Sequence, residues 1–288
     1  DLHNFSADFR FTIANMTAEF GGLNGIFEPD EKIASYLSLR KDNYSEFSAS
    51  DNYFRADENA YYYAKEIIKL DSLKPQIALP FSPDNVCDID SQAVDNAIPS
   101  RKLDGVFIGA CTTTEEEVVL AALVLQQAKN SGKIPVSAQT GKKVIALGSK
   151  QIMERVHSAG LLEIFRWAGF TIDEPGCSFC LGTASRKAGE GEYWLSSQNR
   201  NFKNRMGKGS IASLASAITV AVSSLDMKVS DPSKYFQSIS PALLQSYLRQ
   251  PNIHYQNKPS YEIKTKEPKP SSKQMNEKHI ELHRTPLK

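Results

Sequence analysis

Cys177 and Cys180 stand three residues apart in Pro175-Gly176-Cys177-Ser178-Phe179-Cys180-Leu181-Gly182. A Pro-Gly turn before the pair and a glycine after it leave the backbone free to fold around a guest, with two soft thiolates pointing the same way. The pattern suits a metal centre, but C-x-x-C is shared by zinc knuckles, thioredoxin-like redox sites and iron–sulfur loops. The chain has four cysteines, the others being Cys87 and Cys111. A closed zinc site asks for a second pair or for two closely spaced histidines, and neither is present; His157 stands alone. A thioredoxin-like pair opens a helix directly after a strand in a domain of about 100 residues. Here the pair comes late, after a loop. Cys111 closes Asp104-Gly105-Val106-Phe107-Ile108-Gly109-Ala110-Cys111-Thr112, an apolar strand ending in small residues, where a parallel sheet presents functional groups at its carboxyl edge. Three thiolates then converge from two loops. A 4Fe-4S cluster held by three cysteines leaves one iron open as a Lewis acid. Iron–sulfur, zinc, and redox or plainly buried cysteines all stay open on these residues alone.

A second constellation follows the pair. Asn199, Arg200 and Arg205 lie in a polar stretch that enters Met206-Gly207-Lys208-Gly209-Ser210. Guanidinium groups grip carboxylates bidentately, and glycines before a helix expose N–H groups to anions, so the stretch suits a substrate with several carboxylates. A nucleic-acid patch is the competing reading. A net charge of +1 and the lack of a ladder of stacking aromatics speak against it. Near the start, Asn15 and Glu19 are four residues apart and would share a helix face. Cys87, in a proline-rich stretch, reads as a small hydrophobe.

The elements that must position these groups follow from periodicity. From residue 101 the pattern is β-α-β-α, with strands expected over 106–108 and 143–147 and helices over 115–129 and 151–159, which is a parallel-sheet domain. Glu115, Glu116 and Glu117 read as surface acids favouring a helix amino terminus, and Ser149 as an N-cap. An apolar helix is expected over 211–225. Before this domain, Phe9, Phe11 and Ile13 alternate as in a strand or buried segment without a cap. Residues 31–74 read as helix, polar loop with a turn at 51–55, and a second helix from Tyr61 through Leu70. Residues 75–100, with Pro75, Pro80, Pro83 and Pro99, read as extended connection. Beyond Tyr247 the composition shifts to Lys, Pro, Ser, Glu and Asn, as in a linker.

Composition sets the frame. A chain of 288 residues, 41% hydrophobic and 23% charged, can bury a proper core. No apolar run reaches the roughly 18 residues needed to span a bilayer, so no membrane partner is expected. Few, unevenly spaced cysteines argue for a reducing interior. The chain starts at Asp1, without an initiator methionine, and reads as a fragment or processed product.

Three strings resemble the signature motifs of the aconitase superfamily, and in its order: Ile108-Gly109-Ala110-Cys111-Thr112, Gly176-Cys177-Ser178-Phe179-Cys180-Leu181-Gly182, and Ser196-Ser197-Gln198-Asn199-Arg200-Asn201-Phe202-Lys203-Asn204-Arg205-Met206-Gly207. The likeness extends from Asn15-Met16-Thr17-Ala18-Glu19 to Asp231-Pro232. Within the superfamily, Gly109 through Glu117 and the Ser-Ser-Gln-Asn-Arg form look most like fungal homoaconitases of lysine biosynthesis. The resemblance implies an α/β fold of aconitase-like three-layer αβα domains with parallel sheets. It divides the chain into the end of a second domain (1–80), a third domain carrying the cluster cysteines (81–245), and a linker (246–288) toward an absent swivel domain; an amino-terminal domain is missing too. It implies a 4Fe-4S cluster on Cys111, Cys177 and Cys180, catalytic roles for Glu19 and Asn15, and substrate binding by Asn199, Arg200 and Arg205. The implied activity is that of a hydro-lyase in the mitochondrial matrix, hydrating cis-homoaconitate to homoisocitrate, with this fragment inactive alone. The implied partner is a small tricarboxylate substrate; aconitase or 3-isopropylmalate dehydratase is the alternative. From another class, an inactive iron–sulfur sensor or RNA binder is implied by relatives of that kind. Thr113, Leu147 and Ala217 depart from the family's usual asparagine, proline and proline and keep that reading open.

Overall fold

The computed structural model describes residues 5–38, 56–109, 111–137, 141–182 and 186–248. Helix α1 (Ala7–Met16) begins at Ser6, whose Oγ accepts the Phe9 N–H at 3.1 Å, and runs into a 3-10 turn, Thr17–Phe20. The strand suggested by Phe9, Phe11 and Ile13 is therefore a capped helix. These three side chains are exposed; the helix buries Ala7 and Arg10, and a separate stripe, Thr12, Asn15 and Glu19, carries the polar contacts to the sheet edge. Helix α2 (Glu31–Ser38) follows, tied to α1 by an ion pair of 2.6 Å between Arg10 and Asp30. The expected turn at 51–55 lies outside the described residues. The helix expected from Tyr61 through Leu70 does not form. Tyr61, Tyr63, Ile67 and Ile68 are exposed, so no buried face stabilises a helix there.

The proline-rich stretch is not mere connection. It holds strands β1 (Gln76–Ala78) and β2 (Val86–Asp88), paired antiparallel, and helix α3 (Gln92–Ala97). The prolines flank these strands instead of interrupting them, and a sheet edge tolerates their missing donors. The β-α-β-α pattern then appears as expected: β3 (Gly105–Gly109), α4 (Glu115–Asn130), β4 (Lys142–Ala146) and α5 (Lys150–Ser158). Ser149 caps α5 by accepting the Ile152 N–H at 3.2 Å. Helix α6 (Leu161–Trp167), β5 (Thr171–Asp173), β6 (Tyr193–Ser196), β7 (Ile211–Leu214), α7 (Ala217–Ser224), α8 (Ser233–Phe236) and α9 (Pro241–Tyr247) complete the described chain. The single helix expected over 211–225 is thus a strand and a helix. Ile211 through Leu214 pair residue by residue with β6, and Ser216 starts α7 anew by capping Thr219. An apolar run bounded by small residues carries no period that separates the two.

The sheet order is β2-β1-β7-β6-β3-β4-β5, with β7, β6, β3, β4 and β5 parallel and β1 antiparallel to both neighbours. From β3 the chain moves outward through β4 to β5, then crosses to β6 on the other side of β3. Strand order reverses there, and the crevice beyond the carboxyl ends of β3 and β6 is where such sheets bind ligands. Each strand alternates between two cores. On one face Val106, Ile108, Ile145 and Leu195 meet α4, α6 and α7; on the other Phe107, Val144, Trp194 and Ala212 meet Phe179, Cys180, Ala188 and Met206 from the long loops. The fold is the α/β arrangement expected. The described residues fall within one compact unit, and the linker expected over 246–288 lies outside the described residues from 249 onward.

The three glutamates opening α4 are not all surface acids. Glu115 is buried and ion-paired to Arg155 of α5, and Glu117 closes a capping box, its Oε2 accepting the Thr114 N–H at 3.1 Å. Burial, with Glu116 and Asp8 adding to it, pushes the Glu117 carboxyl from an ordinary 4.5 up to about 7. The folded chain holds this proton more tightly than the unfolded one. The carboxylate therefore costs nothing below pH 4.5, and the cost grows to its full value as pH rises through about 7, reaching up to about 3 kcal/mol. Glu117→Gln keeps the box without the charge. Urea unfolding at pH 8 should show the variant more stable by about 1–3 kcal/mol, a gain that disappears at pH 4; an equal gain at both values would contradict the assignment.

Candidate active site

The three cysteines meet at the carboxyl edge of the sheet. Cys111 follows β3, while Cys177 and Cys180 lie in the loop that follows β5, with Cys180 at the end of a 3-10 turn, Ser178–Cys180. Cys111 and Cys177 are exposed and Cys180 is buried. What fixes this loop is Phe179, whose ring stacks on Trp194 of β6 at 4.8 Å and lies 6.0 Å from Phe107 of β3. Trp194 fits because residue 105 is glycine; a Cβ there would stand 2.3 Å from the indole. Phe179→Ala should cost about 3–5 kcal/mol in urea unfolding. A loss below about 1 kcal/mol would show that the ring does not anchor the loop.

The loop is locked on its other side too. Gly182 has φ +63°, and a Cβ on it would meet the backbone of Arg205, Met206 and Gly207 at 2.5–2.8 Å. Backbone approach this close joins the C-x-x-C loop directly to the arginine stretch. Burial pushes the Cys180 thiol up; the Arg205 guanidinium, whose Nη2 donates to its Sγ at 3.4 Å, pulls it down, and the Cys111 and Cys177 sulfurs push it further up.

Helix α1 and the 3-10 turn after it reach the same edge through Thr12, Asn15 and Glu19. Thr12 Oγ1 donates to the Thr112 carbonyl at 3.1 Å, and Asn15 Nδ2 lies 3.8 Å from the Cys111 Sγ. Glu19, its side chain only 4% exposed, accepts from Asn199 Nδ2 at 2.9 Å and from Arg200 Nε at 2.8 and 2.9 Å. The Arg200 side chain stays 40% exposed. All eight residues singled out from the sequence therefore cluster at one edge, but their partners differ: Arg200 is engaged by Glu19, and Arg205 by a sulfur.

Other groups at this edge were assigned no role from the sequence. Ser197 Oγ accepts the Gly109 N–H at 3.0 Å and shares a 2.8 Å hydrogen bond with Thr113 Oγ1, which also reaches the Gly109 carbonyl at 2.8 Å. This buried network ties the loop after β3 to the loop after β6 and gives Thr113 a place. Gln198 is 3% exposed and neither end of its amide has a protein partner. Asn201 donates to the Leu79 carbonyl at 2.9 Å, fastening the β1–β2 turn to the arginine stretch. Leu147 is buried in the main core and Ala217 opens α7; nothing in the structure gives either substitution a role at the site.

Among the described residues, no set of three or more His, Cys, Asp or Glu side chains closes on a single ion. The donor set does fit a polynuclear cluster: three thiols from two loops, one per iron, with a guanidinium beside the buried sulfur to offset anionic charge. Cys87 is elsewhere, on β2, beside Asp88, Ser91 and Arg101. It is separated from β3 by β1, β7 and β6.

A mostly parallel sheet gathers three thiols, a glutamate and two guanidinium groups at its switch point. The chain belongs to the aconitase family: the model of the Aconitase family (aconitate hydratase) matches residues 1–226. The 3-isopropylmalate dehydratase large subunit gloJ of Glarea lozoyensis is 45% identical over 84% of this chain and 27% of its own length. The aconitase htyD of Aspergillus rugulosus is 44% identical over 85% and 27%. A probable methanogen homoaconitase large subunit of Methanosarcina mazei is 34% identical over 81% and 54%. The chain thus spans 27% of the first two relatives and 54% of the third.

Proposed function

We propose that this chain is the cluster-bearing part of a hydro-lyase that moves water across a carbon–carbon bond of a small hydroxy-polycarboxylate. One observation carries the reading: the Glu19 carboxylate is fixed by Asn199 and Arg200 in the same crevice that collects Cys111, Cys177 and Cys180. Those three cysteines would hold a 4Fe-4S cluster. When bound, it supplies a Lewis-acidic iron that polarises a carbon–oxygen bond.

The chain's own residues do the rest. Glu19, buried and oriented by three N–H···O contacts, is placed to give or take a proton at the departing or arriving water. Arg200 spends its Nε on Glu19, and its half-exposed fork is placed for a substrate carboxylate. Asn199 holds Glu19 from the other side. Asn15, on the preceding turn of the same stripe, faces Cys111.

Two substrate readings stand side by side. The motif around Thr113 and the Ser-Ser-Gln-Asn-Arg string favour homocitrate and homoisocitrate through cis-homoaconitate. The 45% identity to a protein named an isopropylmalate dehydratase favours 3-isopropylmalate. Turnover of the full-length, anaerobically reconstituted protein on cis-homoaconitate, cis-aconitate and isopropylmaleate in parallel decides between them. No turnover on any of the three, with a full cluster present, would overturn the hydro-lyase reading and favour a sensor or binding role.

A further inference from the structure

We infer that Arg205 is a positioning residue for the Cys180 sulfur, acting on the metal side of the site and not only on substrate; this rests on the reading that the three cysteines hold an iron–sulfur cluster. Cys180 is 3% exposed, in a core made of Phe107, Val144, Phe179, Trp194, Met206 and Ala212. An anionic sulfur in such surroundings needs a compensating donor. Arg205 supplies it, with Nη2 at 3.4 Å from Sγ.

The arginine is committed to this position. Its Nε is buried without a protein partner, so the guanidinium is sunk into the loops and does not lie free on the surface. Its backbone is held too, by an Arg205 N–H to Phe202 carbonyl bond of 3.0 Å and by the close approach of Gly182. Arg200 is the opposite case, half-exposed and turned to Glu19. The two arginines of one motif therefore serve different halves of the site.

The test uses the full-length protein without substrate, so that a role in carboxylate binding alone would leave every reading unchanged. Iron and sulfide per chain, the midpoint potential, and the rate of bleaching in air are compared for wild type, Arg205→Gln, Arg205→Lys and Arg200→Lys. Arg205→Gln should bleach about ten-fold faster or more, the weight of one charge-assisted hydrogen bond, and its potential should fall because a positive charge beside the cluster is gone. Arg205→Lys should recover part of the potential, and Arg200→Lys should match wild type in all three. Melting of the iron-free proteins checks folding, and Arg205→Lys keeps the comparison informative if the glutamine variant unfolds. Wild-type potential and bleaching in both Arg205 variants would overturn the inference alone. Failure of the wild type to retain iron would take down the cluster reading and the inference with it.

Discussion

In the full-length protein, Glu19→Gln is expected to lower kcat by about 10²- to 10⁴-fold while leaving iron content unchanged. Glutamine has the same shape and keeps one oxygen for the Asn199 and Arg200 donors, but it cannot carry a proton at the pH of the reaction. The geometry makes this a sharp comparison, because the side chain is 4% exposed and its hydrogen bonds run to Asn199 and Arg200. A purely structural Glu19 would behave otherwise. Weakening the hydrogen bonds between a buried carboxylate and a half-exposed arginine would destabilise by about 1–3 kcal/mol, so turnover per folded molecule would be normal and the melting temperature lowered. Measuring kcat per iron alongside thermal unfolding separates the two outcomes, and normal kcat per iron would remove Glu19 from the chemistry.

The parts of the fold that could be read from sequence are those whose local signals agree with their tertiary setting. Strands β3 and β4 are short apolar runs, α4 opens with Thr114 and a glutamate three residues on, and α5 opens with Ser149; each boundary fell within a residue or two of its expected place. The hairpin of β1 and β2 was illegible because three residues per strand give no period and prolines surround them. Helix α1 misled for a different reason: Phe9, Phe11 and Ile13 are exposed, while the residues it buries are Ala7 and Arg10 and its contacts to the sheet edge are polar. The run from Tyr61 to Leu70 looks amphipathic on paper, yet its apolar side chains find no core among the described residues.

The sequence named residues that the fold brings to one sheet edge, but not the contacts they make there. Spacing brought forward the cysteines, side-chain chemistry the Asn199–Arg205 stretch, and resemblance the roles of Asn15 and Glu19. Nothing in a linear pattern says that Arg205 turns to a sulfur 25 positions before it, or that Thr113 and Ser197, 84 positions apart, share a hydrogen bond. These contacts depend on β6 lying beside β3, and that adjacency is set by the chain crossing the sheet after β5. Phe179 is the clearest instance. Between two cysteines it reads as a spacer, whereas in the fold it is the hydrophobic anchor of the loop.

The second large effect concerns the cysteines. A serine hydroxyl is a hard donor that stays protonated where a thiol becomes a thiolate, so it replaces cysteine poorly on iron. The cost to folding is small at exposed Cys111 and Cys177, and about 1–3 kcal/mol at buried Cys180, where a hydroxyl enters an apolar core. Loss of iron at the first two positions therefore cannot be blamed on unfolding. The most direct measurement is iron and sulfide per chain in the anaerobically reconstituted full-length protein, with visible absorbance, for Cys111→Ser, Cys177→Ser, Cys180→Ser and Cys87→Ser. Wild type and Cys87→Ser should both hold about four irons with the broad brown absorbance of a cluster, and the other three should lose it. If Cys87→Ser loses iron as the others do, or if Cys111→Ser and Cys177→Ser keep it, the three-thiol centre assigned to this sheet edge is wrong.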